Sequence, residues 1–73
     1  MKKHSVVLFG HPTSFSIEDE FWSALTDIAQ AKQTSVVSLL RQIDANRTTN
    51  LSSAVRVFIL KYLLENNQQN NTH

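Results

Sequence analysis

The residues able to do chemistry crowd toward the amino end. Lys2, Lys3, His4 and His11 lie within residues 1–17, a stretch that holds no acidic residue, and Glu18, Asp19 and Glu20 follow at once. A basic arm abutting an acidic cluster points to two faces with different partners. Ser14, Ser16 and Ser35 add hydroxyls that can bond bases or phosphates. Other chemistries lack their parts. Three adjacent carboxylates would suit acid–base work, but they stand where a helix begins, and the helix dipole already favours acids there. There is no cysteine, hence no thiol nucleophile, no disulfide and no CxxC zinc pair. His4 and His11 have no carboxylate or thiol close in sequence to complete a metal site, and His73 sits in a polar tail. A single glycine excludes a glycine-rich phosphate loop, and no Ser-His-acid set has supporting context. A chain this short has no room for a walled pocket. No enzyme, cofactor, metal or small-molecule substrate is expected.

The elements that must position these residues follow from size and pattern. Seventy-three residues make one domain at most. Such a chain buries only about 60% of its unfolded surface, so a lone copy is marginal. Yet 41% of the residues are hydrophobic, and the simplest resolution is that a second copy completes the core. The net charge of +1 is too mild to announce nucleic acid by itself. Met1-Lys2-Lys3 has the look of a secretory signal, but the apolar run behind it, Val6-Val7-Leu8-Phe9, is too short. No stretch approaches the roughly 20 apolar residues of a membrane span. A cytoplasmic protein is expected.

Residues 5–17 read as extended, with Gly10-His11-Pro12 as an interruption. Thr13-Ser14-Phe15-Ser16-Ile17 alternates, placing Phe15 and Ile17 on one face and Ser14 and Ser16 on the other. This strand must pair either with residues 5–9 or with its copy in another chain. A first helix is expected from a Ser16 cap to about Lys32, with Phe21, Leu25, Ile28 and Ala29 as its apolar face. A second runs from a Ser35 cap to about Ala45, with Val36, Leu39, Leu40 and Ile43 facing inward. Asn50 caps a third helix ending near Glu65. Leu51, Ala54, Val55, Phe58 and Tyr62 line one side of it, and Val57, Leu60 and Leu64 the other. A helix apolar most of the way round again favours an oligomer. The expected organisation is a flexible basic arm over residues 1–4, a domain over 5–65 and a disordered tail over 66–73.

One alternating strand followed by two amphipathic helices is a mainly α (α+β) plan that resembles the ribbon-helix-helix domain family related to the Arc and MetJ repressors. Residues 10–22, then Ile28-Ala29, Ser35-Val36 and Leu39-Leu40, carry the resemblance. Residues 50–58 look like the further helix of a proteobacterial subfamily. The resemblance implies an intertwined homodimer, possibly a higher oligomer, whose paired antiparallel strands enter the DNA major groove. It implies a transcriptional regulator, such as a repressor, acting on an operator in double-stranded DNA. Carried over, Pro12, Ser14 and Ser16 take the outward ribbon positions. Ser35 and Val36 open the helix whose amides anchor a phosphate. Lys2, Lys3 and His4 are expected as an electrostatic arm on the phosphates. Phe15, Ile17, Leu25, Val36, Leu40 and Phe58 are expected in the dimer core.

One position departs from the pattern. The first outward site commonly carries a basic or amide side chain, and Pro12 has nothing to donate. Two alternatives stand beside the regulator: the DNA-binding antitoxin of a toxin–antitoxin pair, a role the resemblance also implies, and an oligomeric scaffold that no longer reads DNA, which Pro12 and the weak basic charge suggest.

Overall fold

The computed structural model describes residues 1–70, with side chains through residue 66. In chain order it contains β1 (Lys2–Leu8), β2 (His11–Ile17), α1 (Asp19–Ala31), α2 (Val36–Asn46) and α3 (Leu51–Asn70). The strands form a two-stranded antiparallel sheet. A ribbon followed by helices is the expected order. Of the two partners open to the strand at residues 13–17, the structure shows the one in its own chain, and both strands run longer than expected.

The turn explains why. Only Phe9 and Gly10 separate the strands, and both have positive φ, 53° and 79°. Two consecutive left-handed residues make the tight turn whose twist matches that of the flanking strands. Residues 2–8 are already tethered at the right distance, so pairing with them closes only a short loop. Residues 2–4, expected as a flexible arm, are therefore held in β1.

The register sets what each face carries. His4 pairs with Phe15, Val6 with Thr13 and Leu8 with His11, all on the face turned to the helices. Leu8, Phe15 and Ile17 are buried there. They meet Leu25, Ile28 and Ala29 of α1, Leu39, Leu40 and Ile43 of α2, and Leu51, Val55 and Ile59 of α3 in one core. Phe15, Ile17, Leu25 and Leu40 are buried within a single chain, and Val36 and Phe58 pack half-buried against the same cluster. The hairpin and all three helices contribute to this cluster.

Helix ends follow local rules with one exception. Ser35 caps α2, its Oγ accepting from the Ser38 amide at 3.0 Å. Asn50 does the same for α3, accepting from Ser53 at 2.9 Å. Ser16 does not cap α1. It stays in β2, and the helix opens at Asp19 after Glu18, which makes no side-chain cap bond. α1 ends with Thr34 N–H donating to the Ala29 carbonyl at 2.9 Å and Gln33 N–H to that of Gln30 at 3.0 Å. This is the Schellman pattern, with Gln33 at the left-handed position (φ 55°) that glycine usually fills. α3 runs on to Asn70, into the segment expected as a tail. Residues 71–73 of that tail lie outside the described residues.

A left-handed conformation costs a residue with a Cβ about 1–2 kcal/mol, and glycine escapes most of it. Gln33→Gly should therefore raise unfolding stability by roughly 1 kcal/mol in urea titrations. An unchanged or lower midpoint would mean the loop is held by something other than this cap.

Candidate nucleic-acid interface

Because side chains alternate along a strand, burying one face of the hairpin leaves the other facing out. The outward face carries Lys3, Ser5 and Val7 from β1 and Pro12, Ser14 and Ser16 from β2. Cross-strand partners are Lys3 with Ser16, Ser5 with Ser14, and Val7 with Pro12. The Oγ atoms of Ser5 and Ser14 lie 3.3 Å apart. None of these six residues is acidic.

The structure brings together Lys3, Pro12, Ser14 and Ser16 from the expected contacts, and it separates Lys2 and His4 from them. Lys2 pairs with Ile17 and so belongs to the helix-facing side of the ribbon. It lines a surface depression with Met1, Glu18, Asp19 and Glu20. His4 is not an arm residue. Its ring stacks on Trp22 at 3.8 Å between centroids and 12° between planes, with Phe15 tilted against it at 5.7 Å. Its Nε2 is buried without a hydrogen-bond partner. His4 therefore ties β1 to α1, and no phosphate can reach that atom without the packing opening.

The acidic cluster is fixed from the far side of the chain. Nε and Nη2 of Arg56 on α3 reach Oε1 of Glu18 at 3.0 and 2.9 Å, and the same guanidinium lies 5.7 Å from the Phe21 ring centroid. Glu18's own backbone amide, and then Arg56, hold its carboxyl below the usual range. Arg56 thus belongs to a contact between α3 and the start of α1.

Ser35 and Val36 stand at the start of α2 as expected. Ser35 Oγ also donates to Ser38 Oγ at 3.1 Å. With the Ser38 amide taken by the cap, the amides of Val36 and Val37 remain as the unpaired donors of the first turn. That turn contains no acidic residue, unlike that of α1.

Ser5 and Val7 were missed as outward residues. Val6-Val7-Leu8-Phe9 reads as one apolar run, and only the register shows that Val7 points away from the core. The signal was present in Lys3-x-Ser5-x-Val7, which mirrors Pro12-x-Ser14-x-Ser16 across the turn.

The family model described as a ribbon-helix-helix domain matches residues 1–63, nearly all of the chain described here. The chain belongs to the ribbon-helix-helix family. No curated protein and no solved structure matches it. Ribbon-helix-helix domains are generally DNA-binding regulators, act as dimers and are typically not enzymes. Among the described residues, no helix is long and apolar enough to cross a membrane.

If His4 is a packing residue, His4→Phe should keep the stack and remove a buried unpaired nitrogen, leaving stability equal or higher. His4→Ala should lose at least the aromatic pair, about 0.5–1.5 kcal/mol. Thermal melts of the two variants decide this. Equal losses from both would show that the imidazole is required for itself.

Proposed function

We propose that this chain is a cytoplasmic transcriptional regulator that binds an operator in double-stranded DNA as a homodimer, with the outward face of the β1–β2 ribbon in the major groove. The observation that carries the reading is that face itself. It is a two-stranded ribbon with paired hydroxyls, a lysine and no carboxylate. Adjacent strands lie about 4.8 Å apart, so such a ribbon fits a major groove roughly 12 Å wide. Ser14 and Ser16 bond base edges, Lys3 meets a phosphate, and the free amides of Val36 and Val37 meet another.

The homodimer is supported by what one chain leaves uncovered. Val57, Leu60, Leu63 and Leu64 stay exposed along α3 although the core below them is complete. Apolar surface gathered on one helix marks an interaction site more often than scattered residues do. A second copy covering it would carry two ribbons to two half-sites.

Salt dependence tests both parts together. Each lysine on a phosphate releases about 0.9 counterion, so Lys3→Ala should lower the slope of log affinity against log salt by about 2 for a dimer. Lys2→Ala should barely change it. Ser14→Ala should leave the slope intact and reduce the preference for a selected duplex over random sequence. Pro12→Arg adds a positive charge to the ribbon and should tighten binding to duplexes of any sequence through phosphate contact. A slope change of about 1 for Lys3→Ala would mean one chain per complex. If neither the parent nor Pro12→Arg binds any duplex at low salt, the regulator reading is wrong.

A further inference from the structure

The outward face of the ribbon is divided along its length. Lys3, Ser5, Ser14 and Ser16 fill the end near the helices, and the end near the turn is apolar. There Val7, 59% exposed, stands opposite Pro12. Phe9, 58% exposed, adjoins them in the turn. Nothing in the fold requires this. Val7 touches no part of the core cluster, and a phenylalanine at φ 53° holds a conformation that Asn or Gly adopts at lower cost. An exposed apolar pair beside a strained aromatic calls for an explanation in binding.

We propose that Val7 and Pro12 form a shelf that selects thymine, by packing against its C5-methyl group in the major groove. This rests on the reading of the ribbon as the DNA-contacting face and adds which base that face prefers. The phosphates that bring the groove to this shelf are matched by Lys3 and by the absence of any acidic residue in residues 1–17. Of the groups lining the major groove, the thymine methyl is the one that projects as a bulky apolar group, while guanine and cytosine present mainly donors and acceptors there. Neither Val7 nor Pro12 has a side-chain atom to bond those groups. A G·C pair under the shelf would lose water from polar edges and gain no partner. A thymine methyl would lose water at no such cost and gain contact.

The spacing is commensurate with the hydroxyl pair. Val7–Pro12 lies two residues along the ribbon from Ser5–Ser14, roughly 7 Å at strand rise. Phosphates of one DNA strand follow one another every 3.4 Å or so along the axis, so the offset is about two base-pair steps. The shelf and the hydroxyls therefore address different base pairs.

The test uses the unmodified protein. A duplex is selected from a random 20-base-pair library, and its thymines are then replaced one at a time by deoxyuracil, which differs only by the missing methyl. At one position per half-site, affinity should fall about three- to fivefold, the worth of roughly one buried methyl-sized group. Val7→Ser, at an exposed position that leaves the core intact, should bind the thymine and uracil duplexes alike. Binding by the parent that no uracil substitution weakens would overturn the thymine shelf while leaving the ribbon as the DNA face. Discrimination retained by both Val7→Ser and Pro12→Ser would overturn it too, by placing the methyl contact elsewhere. Failure of the parent to bind any member of the library would remove the DNA reading and the shelf with it.

Discussion

The pairing of β1 with β2 is the constraint on which the rest of the molecule depends. Side chains alternate strictly along a strand, so a slip of one residue would turn every side chain to the other face. In the observed register Leu8, Phe15 and Ile17 go inward together, and Ile17 has no exposed surface at all. The same register sends Lys3, Ser5, Val7, Pro12, Ser14 and Ser16 outward. Core formation and the composition of the candidate interface are one event. Burying the inward set specifies the outward set.

Two features hold that register. The turn at Phe9-Gly10 fixes the loop length, and His4 fastens the other end by stacking on Trp22. α3 then closes the back. It lays Leu51, Val55 and Ile59 into the core and sends Arg56 to Glu18 at the start of α1. The hairpin and the three helices thereby gather their apolar residues into one cluster. Apart from Met1, the large apolar residues left exposed among those described lie on α3 and at the tip of the ribbon.

Much of this was legible in the sequence because it depends on short-range periodicity. Phe15 and Ile17 alternate with Ser14 and Ser16, Leu39-Leu40-Ile43 keeps helical spacing, and Ser35 and Asn50 precede apolar runs as caps do. The faults came where tertiary context overrides local pattern. Lys2-Lys3-His4 has the composition of a free terminus, and only the hairpin register reveals it as a strand. Ser16 has the chemistry of a cap, but its strand continues one residue past it to the buried Ile17, so the helix opens later. Phe9 is the most instructive case, since turn preferences would have chosen Asn there and gave no warning of a two-residue turn. Of the residues expected in a dimer core, Phe15, Ile17, Leu25 and Leu40 are buried in this chain, and Val36 and Phe58 are half-buried. A sequence alone does not reveal which chain buries them.

The central claim is that the hairpin's outward face is the surface that meets DNA, and amide chemical-shift mapping during titration with a selected duplex tests it most directly. The account predicts that the largest shifts fall on Lys3, Ser5, Val7, Ser14 and Ser16, with Val36 and Val37 at the start of α2 moving alongside them. Shifts confined to the Val57–Leu64 side of α3, with the hairpin amides unmoved at saturating DNA, would contradict it.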